Sequence, residues 1–185
     1  TLANLKIKCI VLKHPNIRKK MTYAEELEYI VSNEKRIDFV VNLLRHLNGN
    51  TLCLFQLVEK HGKILNDKMK GSENVYFVYG GTDTSDREKI RGLVETHTKS
   101  TTIASFGVFS TGINIRNINN IVLASPSKSK IRVLQSIGRG LRRSNSKDSI
   151  LIYDIADDIS YKERRNFTLN HFTERLNIYN EEQFD

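Results

Sequence analysis

Short apolar runs alternate with segments of helical periodicity along most of this chain, and that alternation leaves few folds open to it. Thr51–Leu57 is the most apolar of the runs and suits a strand buried on both faces. Val75–Tyr79, Thr101–Phe106, Ile121–Ala124 and Ile150–Ile155 read as further strands, as does Leu5–Leu12, which mixes Val, Ile and Leu with Lys. Between them lie helical patterns. Thr22 and Glu25 have the spacing of a capping box, so a helix starts there. Ile37, Val40, Val41, Leu44 and Leu47 recur at helical spacing up to Asn48-Gly49. Another helix runs to about Lys70 and is closed by Gly71; Ser85 and Glu88 cap the next, which reaches about Glu95. Tyr161–Tyr179 carries Phe167, Phe172, Leu176 and Tyr179 on a polar amphipathic helix. Strand–helix alternation predicts βαβ units: an α/β fold, mostly parallel, with helices on both faces of the sheet and a helical tail at the end. Ligands of such sheets gather at the carboxyl ends of the strands. Gln56, Gly80-Gly81-Thr82 and Ser105–Gly107 stand at those ends.

Gln135-Ser136-Ile137-Gly138-Arg139-Gly140-Leu141-Arg142-Arg143 has a divided helical layout. At about 100° per residue, Gln135, Arg139 and Arg142 share one sector about 60° wide, while Leu134, Ile137 and Leu141 share another. One side would bury apolar groups and the other would line up two guanidiniums and an amide, a set suited to phosphate oxygens. Spacing alone supports a solvated basic face equally well. The charge distribution adds to the phosphate reading. The net charge is +8, yet residues 96–147 hold nine basic residues and no acidic one, and the rest, with 20 basic and 21 acidic residues, is nearly neutral. A positive block of this kind suits a polyanion, nucleotide or nucleic acid.

Other chemistry is missing from the sequence. No G-x-x-x-x-G-K-[ST] motif is present, and Gly62-Lys63 is the nearest fragment of one. Asp154 and Asp157-Asp158 read as loop or helix-start acids rather than metal ligands, the five His form no ligand pair, and no metal site is expected. Cys9 and Cys53 sit in strand-like runs and read as buried reduced thiols. No apolar run reaches membrane-spanning length and no signal-peptide pattern opens the chain, so a cytoplasmic protein without a membrane partner is expected. The chain starts at Thr1 without Met and reads as a fragment of something longer.

The order Phe55-Gln56, Gly80-Gly81-Thr82 with Arg87, Ala104-Ser105 through Gly112-Ile113-Asn114-Ile115, and Gln135-Ser136-Ile137-Gly138-Arg139-Gly140-Leu141-Arg142 resembles the C-terminal RecA-like domain of superfamily 2 helicases. The resemblance covers roughly 33–158, leaving 159–185 as a helical tail, and the details are most similar to phage recombination helicases. It implies the second motor domain of an ATP-dependent DNA helicase, acting in branch migration, fork remodelling and annealing, and so in recombination, repair and replication. For a phage protein the compartment would be the host cytoplasm. Gln135, Arg139 and Arg142 match motif VI, and Arg142 matches the arginine finger. Gly112 and Asn114 match motif V and, with Arg139 and Arg142, would line the nucleotide cleft. The family usually has Asp where Asn114 stands and often Glu where Thr111 stands, so a salt bridge at Asn114 is not implied. Gln56, Gly81, Thr82 and Ser105 match positions near nucleic-acid phosphates. Lys128, Lys130 and Arg132 either extend that track or keep a loop soluble, and Arg87 either joins it or pairs with an acid on its own helix. ATP and Mg2+ would be held mainly by a preceding RecA-like domain of the same chain. Two alternatives stay open: a RecA-like module that binds nucleic acid or a partner without hydrolysis, and half of an RNA helicase.

Overall fold

The computed structural model describes residues 5–110, 116–128, 130–144 and 149–181, with the side chains of 110 and 138–144 outside that description. Its strands are β1 (Leu5–Lys13), β2 (Asn50–Phe55), β3 (Val75–Val78), β4 (Ser100–Ser105), β5 (Asn120–Leu123) and β6 (Ile150–Asp158). They form one sheet in the order β1-β6-β5-β2-β4-β3, and every neighbouring pair is parallel. The helices are α1 (Tyr23–Ser32), α2 (Glu34–His46), α3 (Lys63–Lys68), α4 (Thr84–Thr96), α5 (Phe106–Ser110), α6 (Lys130–Ser144) and α7 (Phe167–Glu181). A π-helical turn, Val58–Gly62, runs directly into α3. This is the parallel α/β sheet that the alternation predicts, in the RecA-like form that the family resemblance implies.

Every residue of β2, β4 and β5 is buried, as the apolar runs require of strands covered on both sides. Alternate residues of β2 serve opposite faces. Leu52 and Leu54 join Ile121, Leu123 and Ile152 against Val133, Leu134 and Ile137 of α6. Cys53 and Phe55 join Ile103 and Val122 against Ile37, Val40, Val41 and Leu44 of α2 and Leu65 of α3. The local signals hold at several boundaries. Thr22 accepts the Glu25 N–H at 3.2 Å while its own N–H donates to the Glu25 carboxylate at 3.1 Å, which completes the capping box of α1. Gly49 closes α2 with φ +85°, where an L side chain is strained and a Cβ would run into the Asn119 carboxamide. The fourth helix starts at Thr84, before the expected Ser85 cap, and its N-cap Asp83 makes no side-chain cap bond.

Two expectations are corrected. Cys9 is exposed, because β1 is an edge strand; Cys53, on central β2, is fully buried. Asp154 and Asp157 are not loop acids. Both lie inside β6, with 0% and 1% of their surfaces exposed, and each has cationic partners. Asp154 accepts from Arg175 Nε at 2.8 Å, Arg175 Nη2 at 3.0 Å, Tyr179 Oη at 2.5 Å and Lys130 Nζ at 3.2 Å. Burial opposes its charge, but Lys130, Arg175 and the Tyr179 hydroxyl outweigh that and hold the carboxyl well below its usual range. Asp157 pairs with Arg36 Nε and with His14 Nε2, each at 2.7 Å, while Arg36 Nη1 donates to the Ala124 carbonyl. Helix α7 is thus fixed to the sheet through β6, and buried Glu26 of α1 accepts the Thr168 N–H in its first turn at 3.1 Å. No helix among the described residues is long and apolar enough to cross a membrane.

Candidate nucleotide and nucleic-acid site

Strand register gathers the sequence-predicted phosphate contacts on one rim. Phe55 lies beside Ser105 and Val78 beside Ala104, so Gln56, Tyr79–Thr82 and Ser105 follow the carboxyl ends of adjacent strands β2, β3 and β4. On the other side of β2, Leu54 pairs with Leu123, and Ser125 comes alongside Gln56. The Gln56 N–H donates to Ser125 Oγ at 3.1 Å, and the Gln56 carboxamide oxygen accepts from Ser127 Oγ, also at 3.1 Å. Ser125 in turn lies 2.6 Å from Nδ1 of buried His61. Burial first, and then the Arg36 charge, push the His61 imidazole down to about 3, so it is neutral at ordinary pH. The exposed Gln56 is therefore held from both main chain and side chain.

Gly80 and Gly81 are exposed at the turn after β3. Thr82 closes that turn. Its N–H donates to the Tyr79 carbonyl at 2.9 Å, and its hydroxyl accepts the Tyr79 N–H at 3.1 Å. Arg87 does not pair with an acid on its own helix. Its guanidinium reaches back to the Thr82 and Gly80 carbonyls, both at 2.9 Å, and fixes the turn's shape. Ser105 is 8% exposed, and its hydroxyl accepts the Val108 N–H at 3.4 Å at the start of α5.

The basic residues of α6 and its approach divide. Lys128 and Arg132 are exposed. Lys130 is not on a nucleic-acid track: it is 1% exposed, and its ammonium is spent on Asp154 and the Ile155 carbonyl at 3.2 and 3.0 Å. The predicted division of the helix holds where side chains are described, with Val133, Leu134 and Ile137 buried and Gln135 exposed. Arg139 and Arg142 fall on α6, but their side chains lie outside the described residues, and Gly112 and Asn114 lie outside them altogether. His61, Ser125 and Ser127 escaped the sequence reading. Their one signal was position, since the turn after β5 sits on the same rim as Gln56.

Comparison with known proteins agrees with this geometry. The helicase conserved C-terminal domain matches residues 35–144. The ATP-dependent DNA helicase UvsW of Enterobacteria phage T4 is 35% identical over the whole of this chain, which spans 40% of that protein's length. The crystal structure of T4 UvsW superposes with a TM-score of 0.83, covering 98% of this chain and 40% of that one. The DEAD-box protein SrmB of E. coli, 14% identical, shares the fold with a TM-score of 0.58 over 82% of this chain and 78% of that one. A parallel RecA-like sheet, strand ends gathered on one rim and this family match together make the chain a member of the helicase conserved C-terminal domain family, within superfamily 2.

Proposed function

We propose that this chain is the second motor domain of an ATP-dependent DNA helicase or translocase. Its role is to supply an arginine finger, Arg142, with Arg139 and Gln135 beside it, and part of the nucleic-acid track. The observation that carries this reading is the layout of α6: Leu134 and Ile137 are buried against the sheet while Gln135 is exposed. Positions 139 and 142 follow Gln135 at helical spacing. Guanidinium and carboxamide groups suit phosphate oxygens and offer no anionic ligand to a metal. Gln135, Arg139 and Arg142, with Gly112 and Asn114, would therefore meet the phosphates of ATP, whose Mg2+ arrives with the nucleotide on the preceding RecA-like domain. Bound ATP supplies the phosphoryl group whose transfer drives the motor. Gln56, Gly81, Thr82, Ser105, Lys128 and Arg132 would hold the nucleic-acid backbone without reading sequence. Likeness to an ATP-dependent DNA helicase of phage T4 supports DNA over RNA. Branch migration, fork remodelling and annealing in the host cytoplasm complete this reading, as the motif resemblance implies.

DNA-stimulated ATP hydrolysis by the full-length protein tests the assignment. Arg142→Ala should cut turnover by about 10³-fold or more with little change in melting temperature or DNA affinity. Arg142→Lys should recover little, because an ammonium lacks the planar fork of donors. Arg143→Ala, about 100° further round the helix, should lose far less. Equal losses for Arg142→Ala and Arg143→Ala would return α6 to a solvated basic helix.

A further inference from the structure

A cluster of rings and cations shares a cleft with Ser127, which holds Gln56, and the motif comparison gives its rings no role. Tyr23, the first residue of α1, meets Phe167, the first of α7, edge-on with centroids 6.3 Å apart. Tyr23 also meets His171 at 5.8 Å. Lys128 Nζ lies 5.2 Å from the Tyr23 ring centre and Lys20 Nζ 5.7 Å from that of Phe167. Phe167 leaves 40% of its surface in water, which is unusual for so large an apolar side chain in a chain whose core excludes water. The cluster also joins the rim already described. His171 and Ser127 line one cleft, and Ser127 donates to the Gln56 carboxamide. Rings and ammonium groups therefore follow directly on from the residues assigned to phosphates.

We infer that the exposed ring of Phe167, braced edge-on by Tyr23 and flanked by Lys20 and Lys128, is a platform on which an unpaired base of the bound nucleic acid stacks while the two ammonium groups meet its neighbouring phosphates. The chemistry is that of single-strand binding sites, where sequence-tolerant stacking on aromatic rings is combined with cations along the backbone. Duplex bases are already stacked on each other, so the platform acts on a strand after it has been separated. It would hold that strand beside Gln56, at the edge of the sheet where α1 and α7 begin.

This inference rests on the nucleic-acid reading above, and one experiment separates their failures. Full-length protein is titrated with a fluorescent oligothymidylate and with an abasic oligomer of the same length and charge. The native protein should prefer the thymidylate by about tenfold, the scale of one stacked base. Phe167→Ala and Phe167→Leu should abolish that preference by weakening thymidylate binding alone, and Phe167→Trp should keep it. Melting curves identify any variant that has lost its fold, and Phe167→Leu retains most of the apolar contact with α1. Equal affinity of the native protein for both oligomers, or a preference that survives Phe167→Leu, overturns the platform. A native protein that binds neither oligomer overturns the nucleic-acid reading itself. Unchanged oligonucleotide affinities with a lowered ATP turnover would assign Phe167 to a protein contact instead.

Discussion

Lys130 is a charged side chain taken out of water at the start of the helix that carries the motif arginines. It shares one carboxylate, Asp154, with a second cation, Arg175, and all three are buried. Burial, with Arg175 and Arg36 on the same side and Asp154 opposing, pushes the Lys130 ammonium down to about 8. The unfolded lysine titrates at about 10.4. Between those values the unfolded state binds the extra proton, so stability rises with pH across that window and is lost again as pH falls through 8. Lys130→Met should therefore narrow its stability gap to the native protein, or pass it, below pH 8, and fall behind by about 1.4 kcal/mol per unit as pH climbs from 8 to 10. Urea melts of both proteins at four pH values would check this, and parallel stability curves would refute it. Asp154→Asn should be worse near neutral pH, by about 3–5 kcal/mol, because it leaves two buried cations without their anion. The sequence could not have warned of this. Lys130 sits among Lys128 and Arg132 and looks like one more surface charge, while its partners, Asp154 and the Ile155 carbonyl, lie 24 and 25 residues further on. The exposed Gln135 and buried Leu134 were legible because helical periodicity is a local property.

At the scale of elements, the strands and most helices could be read, and the surprises lie where one element meets another. Helix α7 reads from sequence as a polar tail, but its hydrophobic periodicity says nothing about the carboxylate on β6 that Arg175 and Tyr179 reach. The π-turn ahead of α3 was equally hidden. By sequence Gly62 belongs to the nearest fragment of a phosphate-binding loop, whereas the structure gives it a packing reason. A Cβ there would collide with the ring of Phe55, which is fully buried and stacks on Phe77 at 5.6 Å. The ring cannot retreat, so the turn must. Gly62→Ala should destabilise the domain by about 1–3 kcal/mol, the usual scale for an overpacked core. It should also disturb the neighbouring His61–Ser125 contact that holds Gln56. A native-like melting temperature for Gly62→Ala would show that the turn has room to adjust. A weakened nucleic-acid affinity at full folding would show the disturbance reaching the rim.

The molecule as a whole carries strand ends and basic residues suited to a polyanion, and its sequence holds no G-x-x-x-x-G-K-[ST] loop to cradle a nucleotide's phosphates. The 185-residue chain on its own should fold and show no ATP hydrolysis, while binding nucleic acid weakly, with an affinity that falls steeply between low and moderate salt and barely depends on sequence. Fluorescence anisotropy at two salt concentrations, beside a phosphate-release assay, would test both halves. Turnover from highly pure chain that Arg142→Ala abolishes, or affinity indifferent to salt, would count against the motor-domain reading. The sheet order has its own consequence for how this protein is made. β1 has a single neighbour, β6, and their register joins Leu5 to Ile150 and Lys13 to Asp158. His14 and Arg36 find their carboxylate on the same late strand. On the ribosome, β1 emerges ahead of the other strands of this sheet and has no partner in it until almost all of the domain has followed. Its Val, Ile and Leu must wait through that interval, and the lysines at 6, 8 and 13 are what keep an unmatched strand from finding another copy of itself.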